Sequence, residues 1–273
     1  MIPAPFDYIR AESADAALAA LGEHGEEAKL MAGGHSLIPL MRFRLVTPGV
    51  IVDVANLNGD LRGIRVEGDS VRIGALTRHS ELEHSDELKA ACPMLAHVAS
   101  LVGDPAVRHR GTIGGSLAHA DPASDLPAAA IALGATLVAR GPNGEREIAV
   151  DDFFTGFLES SLAPDELLVE VVVPVSTGPW AYEKFNRRAQ DWAIVGVAVA
   201  EAGGGVALVN MGSTPQRASA VEAAIKGGGS AADAAALAAD GASPPTDGNG
   251  DAAYRSHLAR VLTERGLTTA GVT

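Results

Sequence analysis

Short apolar runs separated by glycine, proline and polar residues predict short strands and helices in mixed order along the chain. Ser13 is a good N-cap for an alanine-rich helix that ends near Gly25. Apolar runs at residues 28–32 and 50–54 predict two strands, with a short helix between them that has Pro39 in its first turn. The N-terminal part therefore predicts a small α/β unit with glycines at a strand end.

The middle of the chain predicts a second unit, of α+β type. Asp121 is expected to cap a helix that begins at Pro122 and ends at Gly134. The apolar periodicity predicts strands at 64–66, 71–74, 136–140, 145–148 and 167–173, and further helices at 80–87 and 93–102.

A third unit is expected after residues 176–179, whose Ser-Thr-Gly-Pro sequence is typical of a linker. Strands are predicted at 180–187, 192–201 and 206–212, and helices at 216–225, 231–239 and 252–265. Strands followed by helices indicate an antiparallel sheet with helices on one face. The glycine- and alanine-rich stretch 227–251 is expected to be a mobile surface connector around one short helix.

Charge and cysteine content narrow the classes of function. The 273 residues carry a formal net charge of −13, which disfavours a nucleic-acid partner because such binding needs basic residues against phosphates. The start of the chain lacks a basic stretch followed by an apolar core, and no apolar run reaches the roughly 18 residues of a membrane span. The expected location is therefore cytoplasmic. Cys92 is the single cysteine, so any iron–sulfur cluster must lie on another polypeptide.

Two glycine pairs are the candidate ligand-binding elements. Gly33-Gly34 and Gly114-Gly115 each follow a strand-like stretch and precede a serine within two residues. Backbone without side chains can approach a ligand closely, and successive N–H groups there can bind an anion. Together with the hydroxyl groups of Ser36, Thr112 and Ser116, the two pairs could bind a pyrophosphate. Either pair alone is more often just a tight turn.

Two better-known nucleotide motifs do not fit. Asp53 lies about 20 residues after Gly33, as in a Rossmann fingerprint, but the third glycine is missing. Pro39 and Pro48 are also expected to leave too little room for the crossover helix of a parallel unit. A Walker loop is excluded because the chain has no Gly-Lys-Ser/Thr sequence.

Both glycine motifs resemble those of a known family. Residues 29–36, Lys-Leu-Met-Ala-Gly-Gly-His-Ser, and the segment 111–125 are similar to the flavin motifs of the FAD-binding subunits of molybdenum hydroxylases. This family includes the aerobic carbon monoxide dehydrogenases and xanthine dehydrogenases. Residues 167–174, 184–188 and 254–265 follow in family order. The resemblance implies a vanillyl-alcohol-oxidase-type (PCMH-type) FAD-binding domain at 1–176, with subdomains at about 1–57 and 58–176, and a small α+β C-terminal domain at 177–273.

The resemblance also implies FAD contacts at individual positions. Asp125 would contact the adenosine side, Leu168 would pack near the flavin, and Lys184 would lie within hydrogen-bonding reach of the ring system. Ser116 stands where family members often have Asn or Asp, and its shorter side chain lacks the reach of an amide. The residues implied to bind FAD are Lys29, Leu30, Met31, Ala32, Gly33, Gly34, His35, Ser36, Leu101, Thr112, Ile113, Gly114, Gly115, Ser116, Asp125, Leu168, Lys184 and Trp192.

Several of these residues have simpler alternatives. Lys184 could be a solvent-exposed strand residue, and Trp192 could be a core residue that opens a strand. His35 and His119 lie within the motifs but lack the carboxylate or thiol neighbours of a metal site, so no metal is expected. No acid, base or nucleophile is predicted, and the chain has no expected catalytic residue.

The function implied by the resemblance is electron transfer. Partner subunits would carry the molybdenum cofactor and the [2Fe-2S] clusters, and the FAD of this chain would pass electrons to an external acceptor such as a quinone. A dimer of heterotrimers, a heterohexamer, is expected, and such a complex could place the chain at the inner face of the membrane. Carbon monoxide is the preferred substrate of the complex, and a purine, N-heterocycle or aldehyde is the alternative. A stand-alone flavin oxidoreductase and a nucleotide-sensing module without redox function remain open.

Overall fold

A parallel three-stranded sheet forms the N-terminal unit. The computed structural model describes residues 2–57 and 59–273. The sheet has the order β1-β3-β2, and both pairs are parallel. Its elements are β1 (Asp7–Arg10), α1 (Ala14–His24), β2 (Ala28–Met31), α2 (Leu37–Arg42) and β3 (Val50–Asp53). The predicted helix ends are confirmed: the Ser13 hydroxyl accepts a hydrogen bond from the Ala16 N–H, and Gly25 ends α1 at φ +52°.

The helix between β2 and β3 is short, as Pro39 and Pro48 lead one to expect, but the expectation that a parallel unit needs a full crossover helix here is wrong. β2 and β3 run parallel, although the one helix in the connection over residues 32–49 is α2, which has only six residues. Strands of four residues span roughly 13 Å, and a six-residue helix with extended residues on either side is long enough to return over them. β1 was not predicted because its sequence, Asp-Tyr-Ile-Arg, has three exposed residues and no apolar alternation.

The middle unit is built on a five-stranded antiparallel sheet of order β4-β5-β10-β6-β7, with a small hairpin of β8 and β9. Its first part contains β4 (Ile64–Glu67), β5 (Ser70–Gly74), α3 (His79–His84), α4 (Asp86–Ala91), α5 (Pro93–Ser100), α6 (Pro105–Arg108), α7 (Ile113–His119) and α8 (Asp125–Leu133). The second part contains β6 (Thr136–Gly141), β7 (Gly144–Ala149), β8 (Phe154–Gly156), β9 (Glu159–Ser160) and β10 (Leu167–Pro174).

Helix boundaries in this unit differ from the predictions where polar caps interrupt apolar patterns. Ser85 divides the predicted helix at 80–87, because its hydroxyl accepts a bond from the Leu88 N–H and starts α4. α8 begins at Asp125, not at Pro122, since the Asp121 carboxylate accepts a bond from the Ala123 N–H within a preceding turn. α6 and α7 were not predicted.

The C-terminal unit is a four-stranded antiparallel sheet with three helices. Its elements are β11 (Ala181–Phe185), β12 (Val195–Ala200), β13 (Gly205–Val209), β14 (Gln216–Arg217), α9 (Ser219–Lys226), α10 (Ala231–Ala235) and α11 (Ala252–Thr269). Residues 227–251 are not simply a solvated connector as predicted, because Ala231, Ala234 and Ala238 are buried in the core of this unit. The predicted α+β class is confirmed.

Helix α8 joins the middle and C-terminal units. All nine of its residues are buried, because it packs against β10 and α5 on one side and against β12 and β13 on the other. Gly205 of β13 lies so close to α8 that a Cβ atom there would be 1.9 Å from the carbonyl oxygen of Ala132. The Arg217 guanidinium donates to the carbonyl oxygen of Ile131 at 2.6 Å. In the part of the chain described, no helix has the length and apolar character needed to cross a membrane.

We expect Gly205→Ala to lower the free energy of unfolding by about 1–3 kcal/mol, because the added methyl group would force β13 away from the α8 backbone. Urea denaturation measures this change. Gly22→Ala is the matched control, since Gly22 lies in α1 with nothing within 4 Å of an added Cβ. There the substitution should leave stability unchanged or raise it. Equal stability of both variants would contradict the close packing of β13 on α8.

Candidate functional site

The two glycine motifs lie against each other. A Cβ atom at Gly33 would be 2.1 Å from the carbonyl oxygen of Arg110 and 3.0 Å from the Cα atom of Gly111. Only glycine permits this approach between the segment after β2 and the segment before α7. The fold therefore brings together two motifs that are about 80 residues apart in the sequence.

Arg78 connects three segments beside this contact. Its buried guanidinium donates to the carbonyl oxygens of Arg110 and Ala55, the latter at 3.1 Å. Its backbone also pairs with Thr112 in an isolated antiparallel bridge. Burial, followed by the positive charge of Arg110, lowers the pKa of Arg78 from its ordinary value. The sequence does not reveal a role for Arg78, because a single arginine before a predicted helix has no distinctive pattern.

The first glycine motif has backbone N–H groups available for a ligand. The N–H groups of residues 33–36 donate to no oxygen of the described residues, and Gly34 has φ +75°. Successive N–H groups that donate to no protein oxygen, with one residue in the left-handed region, can bind an anion. The arrangement fits a pyrophosphate without requiring an arginine from the chain.

The second glycine pair has a different environment from the one predicted. Gly114 and Gly115 lie in the first turn of α7, which Thr112 caps by accepting a bond from the Gly115 N–H at 3.1 Å. The Gly114 N–H already donates to the carbonyl oxygen of Ala75 at 2.8 Å. A Cβ atom at Gly114 would also lie 2.5 Å from that of Ala75. Gly114 is therefore explained by helix packing, while the Thr112 hydroxyl keeps a proton to donate.

His79 packs against Gly111, next to the contact between the two glycine motifs. It is 4% exposed, and a Cβ atom at Gly111 would lie 2.6 Å from its Nε2 atom. Its Nδ1 atom has no hydrogen-bond partner within the described residues. Burial, then the nearby His35 and Arg78, lower the pKa of His79 to about 4. His79 is therefore neutral near pH 7 and adds no charge to the site.

A second group of predicted site residues meets around Asp125. The Lys184 ammonium group donates to Asp125 Oδ2 at 2.8 Å and to the carbonyl oxygen of Leu101 at 3.0 Å. The Tyr182 hydroxyl donates to Asp125 Oδ1 at 2.6 Å. The side chains of Asp125 and Lys184 are 5% and 8% exposed, so the alternative of a solvent-exposed Lys184 is wrong.

Burial and hydrogen bonding act in opposite directions on the Asp125 carboxyl group. Burial raises the pKa of Asp125, and the Lys184 charge and the two donors oppose that rise. Burial and the adjacent carboxylate raise the pKa of Tyr182 well above its ordinary value. Tyr182 therefore keeps its proton and remains a hydrogen-bond donor.

Leu168 and Trp192 differ in exposure. Leu168 is buried on β10, opposite Ala139 and next to a register shift. Trp192 is 59% exposed in the segment before β12, so its alternative as a core residue is wrong. The backbone after Trp192 is held by Asn210, whose side-chain amide donates to the carbonyl oxygen of Ala193 at 2.9 Å.

The remaining predicted site residues lie on the same elements. Lys29, Leu30 and Met31 form the end of β2, with Lys29 exposed, and the following Ala32 is half-buried. Ile113 is buried and Ser116 half-buried in α7. α7 contains the second glycine pair in its first turn, and it packs against β10 and against α8, whose first residue is Asp125.

Comparison with known proteins gives matches over nearly the whole chain. The family described as the FAD binding domain in molybdopterin dehydrogenase matches residues 4–176, and the CO dehydrogenase flavoprotein C-terminal domain matches residues 180–270. The carbon monoxide dehydrogenase medium chain of Hydrogenophaga pseudoflava is 41% identical over 284 residues, which cover 99% of this chain and 98% of that protein.

A relative with another printed function is also similar along its length. The 6-hydroxypseudooxynicotine dehydrogenase complex subunit alpha of Paenarthrobacter nicotinovorans is 38% identical, with 99% and 96% of the two chains covered. Among solved structures, a carbon monoxide dehydrogenase from Hydrogenophaga pseudoflava that lacks the Mo-pyranopterin moiety has a chain that matches with a TM-score of 0.93 at 42% identity. That match covers 99% of this chain and 98% of the other.

We expect His79 to lower the free energy of unfolding as the pH falls from about 6.5 to about 4. The pKa of His79 in the folded protein, about 4, lies below the ordinary 6.5. Above pH 6.5 the burial of neutral His79 therefore does not reduce the free energy of unfolding. As the pH falls below 6.5, that free energy decreases, because the unfolded chain binds the proton first. His79→Gln should remove up to about 3 kcal/mol of the acid-induced decrease in unfolding free energy. Urea denaturation at several pH values measures this.

His84→Gln is the control for the His79 substitution, because the His84 side chain is 71% exposed. This variant should keep the pH dependence of the unmodified protein. An unchanged pH dependence in His79→Gln would show that His79 is not buried in neutral form.

Proposed function

The chain belongs to the family of FAD-binding domains in molybdopterin dehydrogenases, and from this we propose that it binds FAD between its two glycine motifs and Lys184 and serves as an electron-transfer subunit. The likeness in fold to a carbon monoxide dehydrogenase chain confirms the expected architecture. We propose domains at 1–176, with subdomains at about 1–57 and 58–176, and at 177–273.

The pyrophosphate of FAD would be bound by the first glycine motif. The free N–H groups of residues 33–36 supply donors, and the hydroxyl groups of Ser36, Thr112 and Ser116 can add to them. Ser116 has a shorter reach than the Asn or Asp common in the family, so it would contact the cofactor only through its hydroxyl group at close range. Because Gly33 packs on Arg110, contacts within the protein hold the two motifs together.

Lys184 would act at the ring end of the cofactor. When bound, FAD supplies the two-electron redox chemistry, and the protein supplies binding, orientation and electrostatics. The Lys184 ammonium group has three N–H donors, and Asp125 and Leu101 accept two of them. The third can donate to the flavin, where a buried cation stabilises negative charge on the reduced ring.

The position of Asp125 favours a contact different from the one that the resemblance implied. The family resemblance implies that Asp125 contacts the adenosine side and Lys184 the ring system. The two side chains nevertheless form a direct hydrogen bond. An extended FAD molecule cannot bring both of its ends to one ion pair. We therefore assign Asp125 to the ring end, where it acts through Lys184.

We further propose that partner subunits carry the molybdenum cofactor and the [2Fe-2S] clusters. A single cysteine, Cys92, cannot bind a cluster, and it is buried.

Similarity to a carbon monoxide dehydrogenase medium chain supports carbon monoxide as the substrate of the complex. The similarity to a subunit named for 6-hydroxypseudooxynicotine keeps an N-heterocycle as the alternative. A quinone as acceptor, a dimer of heterotrimers and a cytoplasmic location complete the proposal.

The contact between the two glycine motifs is the observation that carries this proposal, because it would allow one pyrophosphate to meet the N–H groups of the first motif and the Thr112 hydroxyl group of the second. The test is the visible spectrum of the chain purified with its co-expressed partners. Bound FAD gives flavin absorption at one equivalent per chain, and oxidation of carbon monoxide by the complex should reduce it. A chain that holds no flavin, even after FAD is added, would overturn the proposal.

Gly34→Ala should weaken FAD binding by at least about tenfold, because a Cβ atom at φ +75° strains the backbone that presents the N–H groups. Flavin fluorescence titration measures the dissociation constant. Gly25→Ala is the matched control, since Gly25 has φ +52° and open space around it, but lies at the end of α1. Similar losses of FAD affinity in both variants would argue against a specific role for Gly34.

A further inference from the structure

Tyr182 is a buried residue whose hydroxyl group has no role in the cofactor contacts described so far. It lies two residues before Lys184 on β11, so both side chains point to the same face of the strand, toward α8. The neighbouring strand leaves room for it, because a Cβ atom at Gly196 would lie 3.3 Å from the Tyr182 hydroxyl oxygen. The hydroxyl group donates to Asp125 Oδ1 at 2.6 Å.

The hydrogen bonds form a series that ends at Lys184. Tyr182 occupies one oxygen of the Asp125 carboxylate, so the carboxylate is fixed in rotation and presents the other oxygen to Lys184 at 2.8 Å. The carbonyl oxygen of Leu101 accepts the second N–H of Lys184 at 3.0 Å. With two of its three N–H groups directed by the protein, the direction of the third is also fixed.

Tyr182 also supports the charged form of Asp125. Burial alone would favour a neutral carboxyl group, whereas a hydrogen bond from a neutral donor stabilises the carboxylate. Tyr182 can supply this bond throughout the ordinary pH range, since its own pKa is raised well above the usual value. An ionised Asp125 in turn holds the ammonium group of Lys184 in place.

We propose that Tyr182 is a positioning residue for the flavin: by fixing Asp125, it holds Lys184 with one N–H directed to the cofactor. This inference rests on the proposed function, and in particular on the contact between Lys184 and FAD. It assigns the hydroxyl group of Tyr182 an effect on the bound cofactor without direct contact.

The first test is Tyr182→Phe in the full chain loaded with FAD, because phenylalanine keeps the buried ring and removes the hydroxyl group. We expect the FAD dissociation constant to rise between about twofold and tenfold, the range for loss of one hydrogen bond. The flavin reduction potential, measured by spectroelectrochemistry, should fall, as in Lys184→Met but by less. Tyr8→Phe is the matched control for the reduction potential: it also removes a tyrosine–aspartate bond, from Tyr8 to Asp53 at 2.5 Å, but between β1 and β3 and not in the group around Asp125.

The second test repeats Tyr182→Phe in a protein that already carries Asp125→Asn and Lys184→Met. Replacing both charged residues together avoids an uncompensated buried charge. If Tyr182 acts through these residues, its substitution should change neither the FAD affinity nor the reduction potential in this background. A persistent effect of the same size would overturn the inference and leave the proposed function standing.

The remaining outcomes separate the inference from the function on which it rests. If Lys184→Met changes neither FAD affinity nor potential, the Lys184–flavin contact is wrong and the inference falls with it. A Tyr182→Phe protein with the affinity and potential of the unmodified chain would also overturn the inference. Absence of FAD from the unmodified chain would instead overturn the proposed function itself.

Discussion

A helix without an exposed residue has to be enclosed on every side, and α8 meets this requirement between two sheets. Its apolar residues pack on β10 of the middle unit and on β12 and β13 of the C-terminal unit. The burial of these apolar surfaces removes them from water on both sides at once. The last turn is fitted to Gly205, and its first residue is Asp125. Domain packing and the geometry of the Lys184 site therefore depend on the same helix.

The site uses little formal charge. The free N–H groups of the first glycine motif can bind an anion without cationic side chains, which is compatible with a chain of net charge −13. Near this motif, Arg78 is occupied by carbonyl oxygens, and His79 is neutral near pH 7. The Lys184–Asp125 ion pair is buried at the proposed ring end of the site. Backbone dipoles would thus bind the phosphates, and one cation would act on the ring.

The sequence predicted the elements whose signals are local. The capped helix α1, the turn-linked strands β6 and β7 and the helix end at Gly134 have caps or turns that act within a few residues. Family resemblance also implied Leu101, Asp125 and Lys184 as site residues, and only the structure showed that Lys184 contacts the other two. β1 and α7 were missed because their stability comes from partners distant in the sequence. Arg78 and Tyr182 were missed for the same reason: their hydrogen-bond acceptors belong to other segments.

The hydrogen bonds from Tyr182 and Lys184 to Asp125 cross from the C-terminal sheet to the middle unit. Each partner is buried, so none of the three can be exchanged alone for a residue of different charge or hydrogen-bonding capacity without a cost. The three positions are therefore expected to change together during evolution. For protein engineering, this means that a chimera joining the first two units of one relative to the C-terminal domain of another must transfer the tyrosine, the lysine and the aspartate as one set.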